Sequence, residues 1–168
     1  MKIPLFPYDN EWPRQFERER ALLQDALGPA VAAIEHIGST AVPGLIAKPI
    51  IDIMIGLADF DPADRLVPSL VKRGYTYIPQ YEDLMPFRRY LEKWQEGRCT
   101  HHLHMVALGG EFWIRHLAFR DRLRREPAAA AAYAALKTGF ALRDWRDGNE
   151  YAEAKTEFIR RMEKGAGP

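Results

Sequence analysis

Only one of the 168 residues is a cysteine, Cys99. A single thiol cannot make an internal disulfide scaffold, nor a zinc site built mainly from thiolates. Long hydrophobic runs are also missing. No apolar stretch approaches the roughly 18 residues that a membrane-crossing helix needs. The opening Met1-Lys2-Ile3-Pro4 has no apolar core of a signal peptide. The expectation is a cytoplasmic protein with no membrane partner. An excess of either charge is lacking too: 24 Lys+Arg face 23 Asp+Glu, leaving a net charge of +1. That balance argues against a polybasic arm for nucleic acid and against an acidic tail. No internal repeat or long polar linker interrupts the chain.

Hydrophobic residues make up 47% and charged residues 28%, the range of ordinary globular chains. The length suits one domain over residues 1–168. Pro4 and Pro7 keep the first ten residues extended. A helix is expected from Asn10 or Glu11 to about Leu27, closed by Gly28-Pro29. Ala30 to Ile37 reads as a strand, broken by Gly38-Ser39-Thr40. Residues 49–57 form a near-continuous apolar run, the pattern of a strand covered on both faces. Asp61 is expected to cap a helix over 62–73 that ends at Gly74. Further strands are expected at Tyr75 to Ile78, Phe87 to Leu91 and residues 100–107. In the last of these, Leu103 and Met105 face one way and His102, His104 and Val106 the other. After Gly109-Gly110 the chain reads as helical. Pro127 starts an alanine-rich helix, and Asp147 or Asn149 opens a last one carrying Tyr151, Lys155, Phe158 and Met162. The tail Gly165-Ala166-Gly167-Pro168 reads as frayed. The class is α/β or α+β: a sheet with helices packed on it and a helical C-terminal part.

Two segments carry chemistry: Glu35-His36-Ile37-Gly38-Ser39-Thr40 and Lys48-Pro49-Ile50-Ile51-Asp52-Ile53. A Gly-Ser turn offers backbone N–H groups and a hydroxyl, the components of a phosphate cradle. Gly38, Ser39 and Thr40 are its candidates, with Lys48 as a point charge. An aspartate inside an apolar strand must be paired, protonated or metal-bound, which singles out Asp52. A phosphate cradle beside a carboxylate is how a site holds a metal-bound triphosphate. The bland reading, that Gly38 only turns the chain and Asp52 only braces a loop, stays open beside it.

The run Ile34 to Leu45 with Lys48-Pro49-Ile50-Ile51-Asp52 resembles the GrpB family, also called uncharacterised protein family 0157. His102-Leu103-His104 and the run from Phe119-Arg120-Asp121 through Arg124, Pro127, Ala131, Tyr133, Leu136 and Lys137 fit the same family. The resemblance implies a nucleotidyltransferase-like mixed sheet flanked by helices, and occasional fusion to dephospho-coenzyme A kinase. It implies no established activity. The superfamily pattern places Gly-Ser about a dozen residues before Asp-x-Asp or Asp-x-Glu. Gly38-Ser39 and Asp52 match it, but the second carboxylate position is Met54. Two divalent ions held close together need several carboxylates, so a two-magnesium site is in doubt.

Histidines suggest a different donor set. His102 and His104 share a strand face. Converging with Asp52, and with His36 from the preceding strand, they would suit zinc or manganese better than magnesium. They could equally line a polar cleft without metal. Three functions follow. The first is binding of a nucleotide or phosphate compound, extending to metal-dependent nucleotidyl transfer with Asp52 as the catalytic carboxylate. The second is a non-catalytic binding or partner module, linked to coenzyme A biosynthesis. The third is a metal-dependent hydrolase. Glu82 and Asp83 are weak substitutes for the missing carboxylate. The four tryptophans read as packing, the arginines from Arg115 to Arg125 as a solvated face, and Cys99 has no motif that marks a nucleophile.

Overall fold

The fold is that of a computed structural model, which describes residues 1–165. The expected frayed tail lies at 166–168, outside the described residues, apart from Gly165, which sits in a turn. Helix α1 (Glu11–Leu27) leads into strand β1 (Val31–Ile37), a short 3-10 turn at Ser39–Ala41, and strand β2 (Ile51–Leu57). Helix α2 (Ala63–Val71), strands β3 (Tyr75–Tyr77), β4 (Arg88–Gln95) and β5 (Arg98–Ala107) follow. Helices α3 (Glu111–Arg125), α4 (Pro127–Ala141), α5 (Gly148–Ala154) and α6 (Thr156–Glu163) complete the described chain. The sheet order is β1-β2-β5-β4-β3. Only β2 and β5 run parallel among these pairs; the others are antiparallel. This is the mixed sheet with flanking helices that the family resemblance implies.

Alternation decides which side chains meet which layer. Trp12, Phe16 and Leu23 of α1 and Leu70 of α2 pack on Ile53, Ile55, Leu103 and Met105. Each fully buried Leu or Ile contributes about 1.5–3 kcal/mol. On the opposite face, Ile37, Met54 and Val106 meet Phe112 and Trp113 of α3. Gly56 allows this approach, since a Cβ there would lie 2.8 Å from the Trp113 ring. A second cluster of Phe119, Leu123, Tyr133 and Met162 ties α3, α4 and α6 together. Among the described residues, no helix is long and apolar enough to cross a membrane.

Three elements differ from expectation. Strand β4 runs on to Gln95, because Glu96-Gly97 closes a tight hairpin onto β5 with both residues at positive φ (50° and 75°). Helix α2 starts at Ala63 behind Pro62, and the Asp61 side chain does not cap it. The expected last helix is two helices, capped by Asp147 accepting from the Glu150 N–H and broken at Lys155.

Candidate functional site

A half-enclosed cleft of about 710 Å³ lies on the α3–α6 face of the sheet. Its walls include the Gly38–Thr40 turn, Asp52 of β2, Glu92 of β4, His102 of β5, Lys137 of α4 and Lys155. Parallel pairing of β2 with β5 sets Asp52 beside His102, and antiparallel pairing of β5 with β4 sets His102 beside Glu92. The three side chains form a row across the cleft floor. Gly38 stands at φ 73°, where a side chain is strained, and a Cβ on it would lie 2.3 Å from Asp52 Oδ2. The glycine is therefore required both by the turn and by the carboxylate beneath it.

His102 Nδ1 donates to Asp52 Oδ1 at 2.9 Å. Burial disfavours the charged ring, but hydrogen bonding to Asp52 and Cys99 and their negative charge outweigh it, and His102 is raised to about 10. Glu92 accepts from Tyr90 Oη at 2.9 Å and from Trp94 Nε1 at 2.9 Å. Trp94 is thus not a core residue like Trp12, Trp113 and Trp145. It is 52% exposed at the rim and braces Glu92.

The opposite wall is cationic. Lys137 is almost fully buried, yet among the described residues its Nζ donates only to neutral oxygens, Ser39 Oγ at 3.0 Å and the Ile46 carbonyl. Burial and then the Lys155 charge push it down to about 7. Lys155 lies 4.1 Å from the Tyr151 ring centre. Burial pushes it down to about 8, with Asp52 opposing and Lys48 adding to the shift. Lys48 lines the same cleft.

Several expected site residues are placed elsewhere. His36 lies on the α1 face of β1, stacked on Phe16 at 4.8 Å. It cannot join Asp52, because its register partner is Ile53, whereas Ile37 is opposite Asp52. Thr40 is buried, and its hydroxyl donates to the Ile50 carbonyl. That leaves His36 Nε2–H to donate to Thr40 Oγ1 at 3.0 Å. The Thr40 hydroxyl therefore braces the turn from within. His104 faces the cleft, but its Nδ1 accepts from Arg88 at 3.2 Å, and burial followed by the Arg88 charge hold it well below its usual value. Asp52, His102 and His104 do not assemble as one donor set. Among the described residues the trio whose donor atoms lie within 4.8 Å of one another is Glu92, Cys99 and His102. Glu35 is bound to Arg120 at 2.6 Å, and Glu82 to Tyr77 and Arg89. Met54 is fully buried against α3, so no carboxylate stands two residues beyond Asp52.

Sequence reasoning does not place Lys137, Lys155, Glu92 or Cys99 in the cleft: Lys137 stands there only in the family run, Lys155 only on the last helix, and Cys99 is set aside as a nucleophile. Lys137 did leave a signal: it continues the buried stripe Ala129, Tyr133 of α4, where an unpaired charge is out of place. Glu92 shares the alternation of Arg88 and Tyr90 toward the cleft.

The class defined here is an α/β fold, a mixed sheet flanked by helices, whose cleft gathers lysines on one wall and a Glu-His-Asp row on its floor. The chain belongs to the GrpB family, whose sequence model, described as GrpB protein, matches residues 2–165. It is similar to the crystal structure of the conserved protein GrpB from Enterococcus faecalis, with 36% identity, a TM-score of 0.86 and 96% of each chain covered. The UPF0157 protein YqkA of Bacillus subtilis is 37% identical over 165 residues, or 98% of this chain and 47% of that protein. The chain thus spans about half the length of that relative. A dephospho-CoA kinase of Mycolicibacterium paratuberculosis is 30% identical over 94% of this chain and 44% of its own length.

Proposed function

We propose that the cleft binds a nucleotide or a related phosphate compound, within residues 1–165 acting as one unit. The observation that carries this reading is the set Lys48, Lys137 and Lys155 beside Ser39, none in an ion pair among the described residues. Lys137 is buried, and a buried ammonium group without a carboxylate partner is costly; a polyanion in the cleft would offset that cost, with the half-buried Lys48 and Lys155 beside it. Ser39 and Lys137, already joined at 3.0 Å, would hold the phosphate oxygens, with Lys155 and Lys48 as flanking charges. The 710 Å³ cleft suits a nucleotide-sized ligand.

Nucleotidyl transfer is the reaction class that the nucleotidyltransferase-like pattern of Gly38-Ser39 and Asp52 suggests. Paired magnesium ions do not fit this floor, because Met54 occupies the second carboxylate position and is buried in the core. That same observation favours a second reading, a binding module without turnover. The match to a dephospho-CoA kinase brings coenzyme A precursors into the candidate ligands and supports a link to their biosynthesis.

A thermal-shift panel tests this. ATP, CTP, GTP, UTP and coenzyme A precursors are each added alone and with magnesium, manganese or zinc. A ligand at about 100 times its dissociation constant stabilises by roughly 2.7 kcal/mol, a shift of about 5–10 °C for a chain of this size. The expected result is a shift with phosphate ligands that Ser39→Ala weakens. Turnover that disappears in Asp52→Asn would support transfer, and ligand binding without turnover would support the module. Ligand binding untouched by both substitutions would place the site elsewhere.

A further inference from the structure

We propose that Glu92, Cys99 and His102 form a site for a zinc-class transition metal ion, with Asp52 as the positioning residue of His102. The site shares the cleft with the phosphate reading but rests on separate observations.

The fold brings the three donors together by a specific irregularity. Glu92 and His102 are register partners across β4 and β5 and point into the cleft. Cys99 is three residues before His102, so strict alternation would send it to the other face. The register shifts between Lys93 and Trp94: Lys93 pairs with His101 and Trp94 with Cys99, leaving Thr100 as the extra residue. This bulge turns Cys99 onto the cleft face, the kind of re-aiming that bulges perform beside functional sites. One oxygen, one sulfur and one nitrogen then lie within 4.8 Å of one another. An ion with bonds of about 2.0–2.3 Å can draw such a set together with small side-chain adjustments.

The surroundings match the requirements of metal ligands. A ligating histidine donates its other ring N–H to a carboxylate. His102 Nδ1 does this to Asp52 Oδ1, and an ion would take Nε2 in place of its proton. Glu92 is fixed by Tyr90 and Trp94, one on each oxygen, and a carboxylate retains further lone pairs for an ion. The thiolate, imidazole and carboxylate donors suit zinc, cobalt or iron and disfavour magnesium, which prefers oxygen alone. Three protein donors facing a cleft leave a fourth position for water or a ligand oxygen.

Cobalt(II) is the probe. The full chain, stripped of metal, is titrated with cobalt in the absence of nucleotide and followed by absorption. The single cysteine makes the result unambiguous, because any thiolate-to-cobalt charge-transfer band reports Cys99. The expected result is that band at one equivalent. It should be lost in Cys99→Ser, and affinity should fall about tenfold or more in Glu92→Gln and in His102→Gln. Asp52→Ala should weaken cobalt about 10–100-fold while keeping the band, and Asp52→Asn, which retains an oxygen acceptor, should recover part of the loss. No band in the unaltered protein at one equivalent overturns the site, whatever the variants do. Undiminished affinity in both Glu92→Gln and His102→Gln would reduce Cys99 to a lone thiol and overturn it equally. Undiminished affinity in Asp52→Ala removes the positioning role. Binding of inorganic triphosphate is measured separately. Triphosphate binding without the band defeats this inference alone, and the band without triphosphate binding defeats the phosphate reading alone.

Discussion

Gly38 and Asp52 fit against each other with no room for a side chain between them. A Cβ on Gly38 would stand 2.3 Å from Asp52 Oδ2 and 2.9 Å from its Cγ, and the backbone there is at φ 73°. The turn therefore packs directly on the floor of the cleft. Gly38→Ala should lose about 1–3 kcal/mol from backbone strain alone, and it should also displace the carboxylate that holds His102. Urea unfolding measures the first effect. Stability equal to that of the unaltered chain would contradict the fit.

Lys137 is the cation closest to Ser39. A charge-assisted hydrogen bond contributes about 1.5–3 kcal/mol. Lys137→Met should therefore weaken inorganic triphosphate by about 10–100-fold in isothermal calorimetry. Unchanged affinity would remove Lys137 from the phosphate wall.

His36 supplies a pH dependence. Burial is the main cause that lowers it, from 6.5 to about 4, with the Asp52 charge opposing and the Arg124 and Arg120 charges adding to the shift. The unfolded chain takes up this proton near pH 6.5 and the folded chain only near 4. The group costs nothing above 6.5, and stability is lost as the pH falls from 6.5 toward 4, by on the order of 3 kcal/mol in all. An NMR titration should show the His36 ring protonating near 4. The pH slope of unfolding over this window should flatten in His36→Gln. A ring that titrates near 6.5 would mean that His36 is not buried on the α1 face.

Glu19 holds a buried polar knot on the opposite face. It accepts from Lys93 Nζ at 2.5 Å and Tyr75 Oη at 2.7 Å, beneath α1. Removing one partner of a buried pair leaves the other charge uncompensated, at a cost of about 3–5 kcal/mol. Glu19→Ala should lower the urea midpoint accordingly, with no effect on triphosphate affinity in protein that remains folded. A loss below about 1 kcal/mol would show that water reaches Lys93.

Much of the fold was legible because local signals agreed with tertiary packing. The apolar run at 49–57 became the interior strand β2, and alternation separated Leu103 and Met105 from His102 and His104. The Met54 substitution was visible directly. Less visible were features that depend on pairing. Strict alternation hides Cys99, because only the bulge at Thr100 turns it toward His102. Sequence proximity suggests that His36 joins Asp52, but antiparallel register opposes Ile37 to Asp52 and leaves His36 on the other face. Glu19 and Lys137 both sit on buried helical stripes, where their partners come from 74 and 98 residues away in sequence. Lys155 shares the helical stripe of Tyr151, but nothing local in the sequence says that this stripe lines the cleft.

The most direct test of the phosphate cleft is an amide NMR titration of the full chain with inorganic triphosphate. The account predicts that the first resonances to move are those of Gly38 to Ala41, of α4 around Lys137, and of the break at Lys155. Shifts that begin on the α1 and α2 face, or no shifts at millimolar triphosphate, would contradict it.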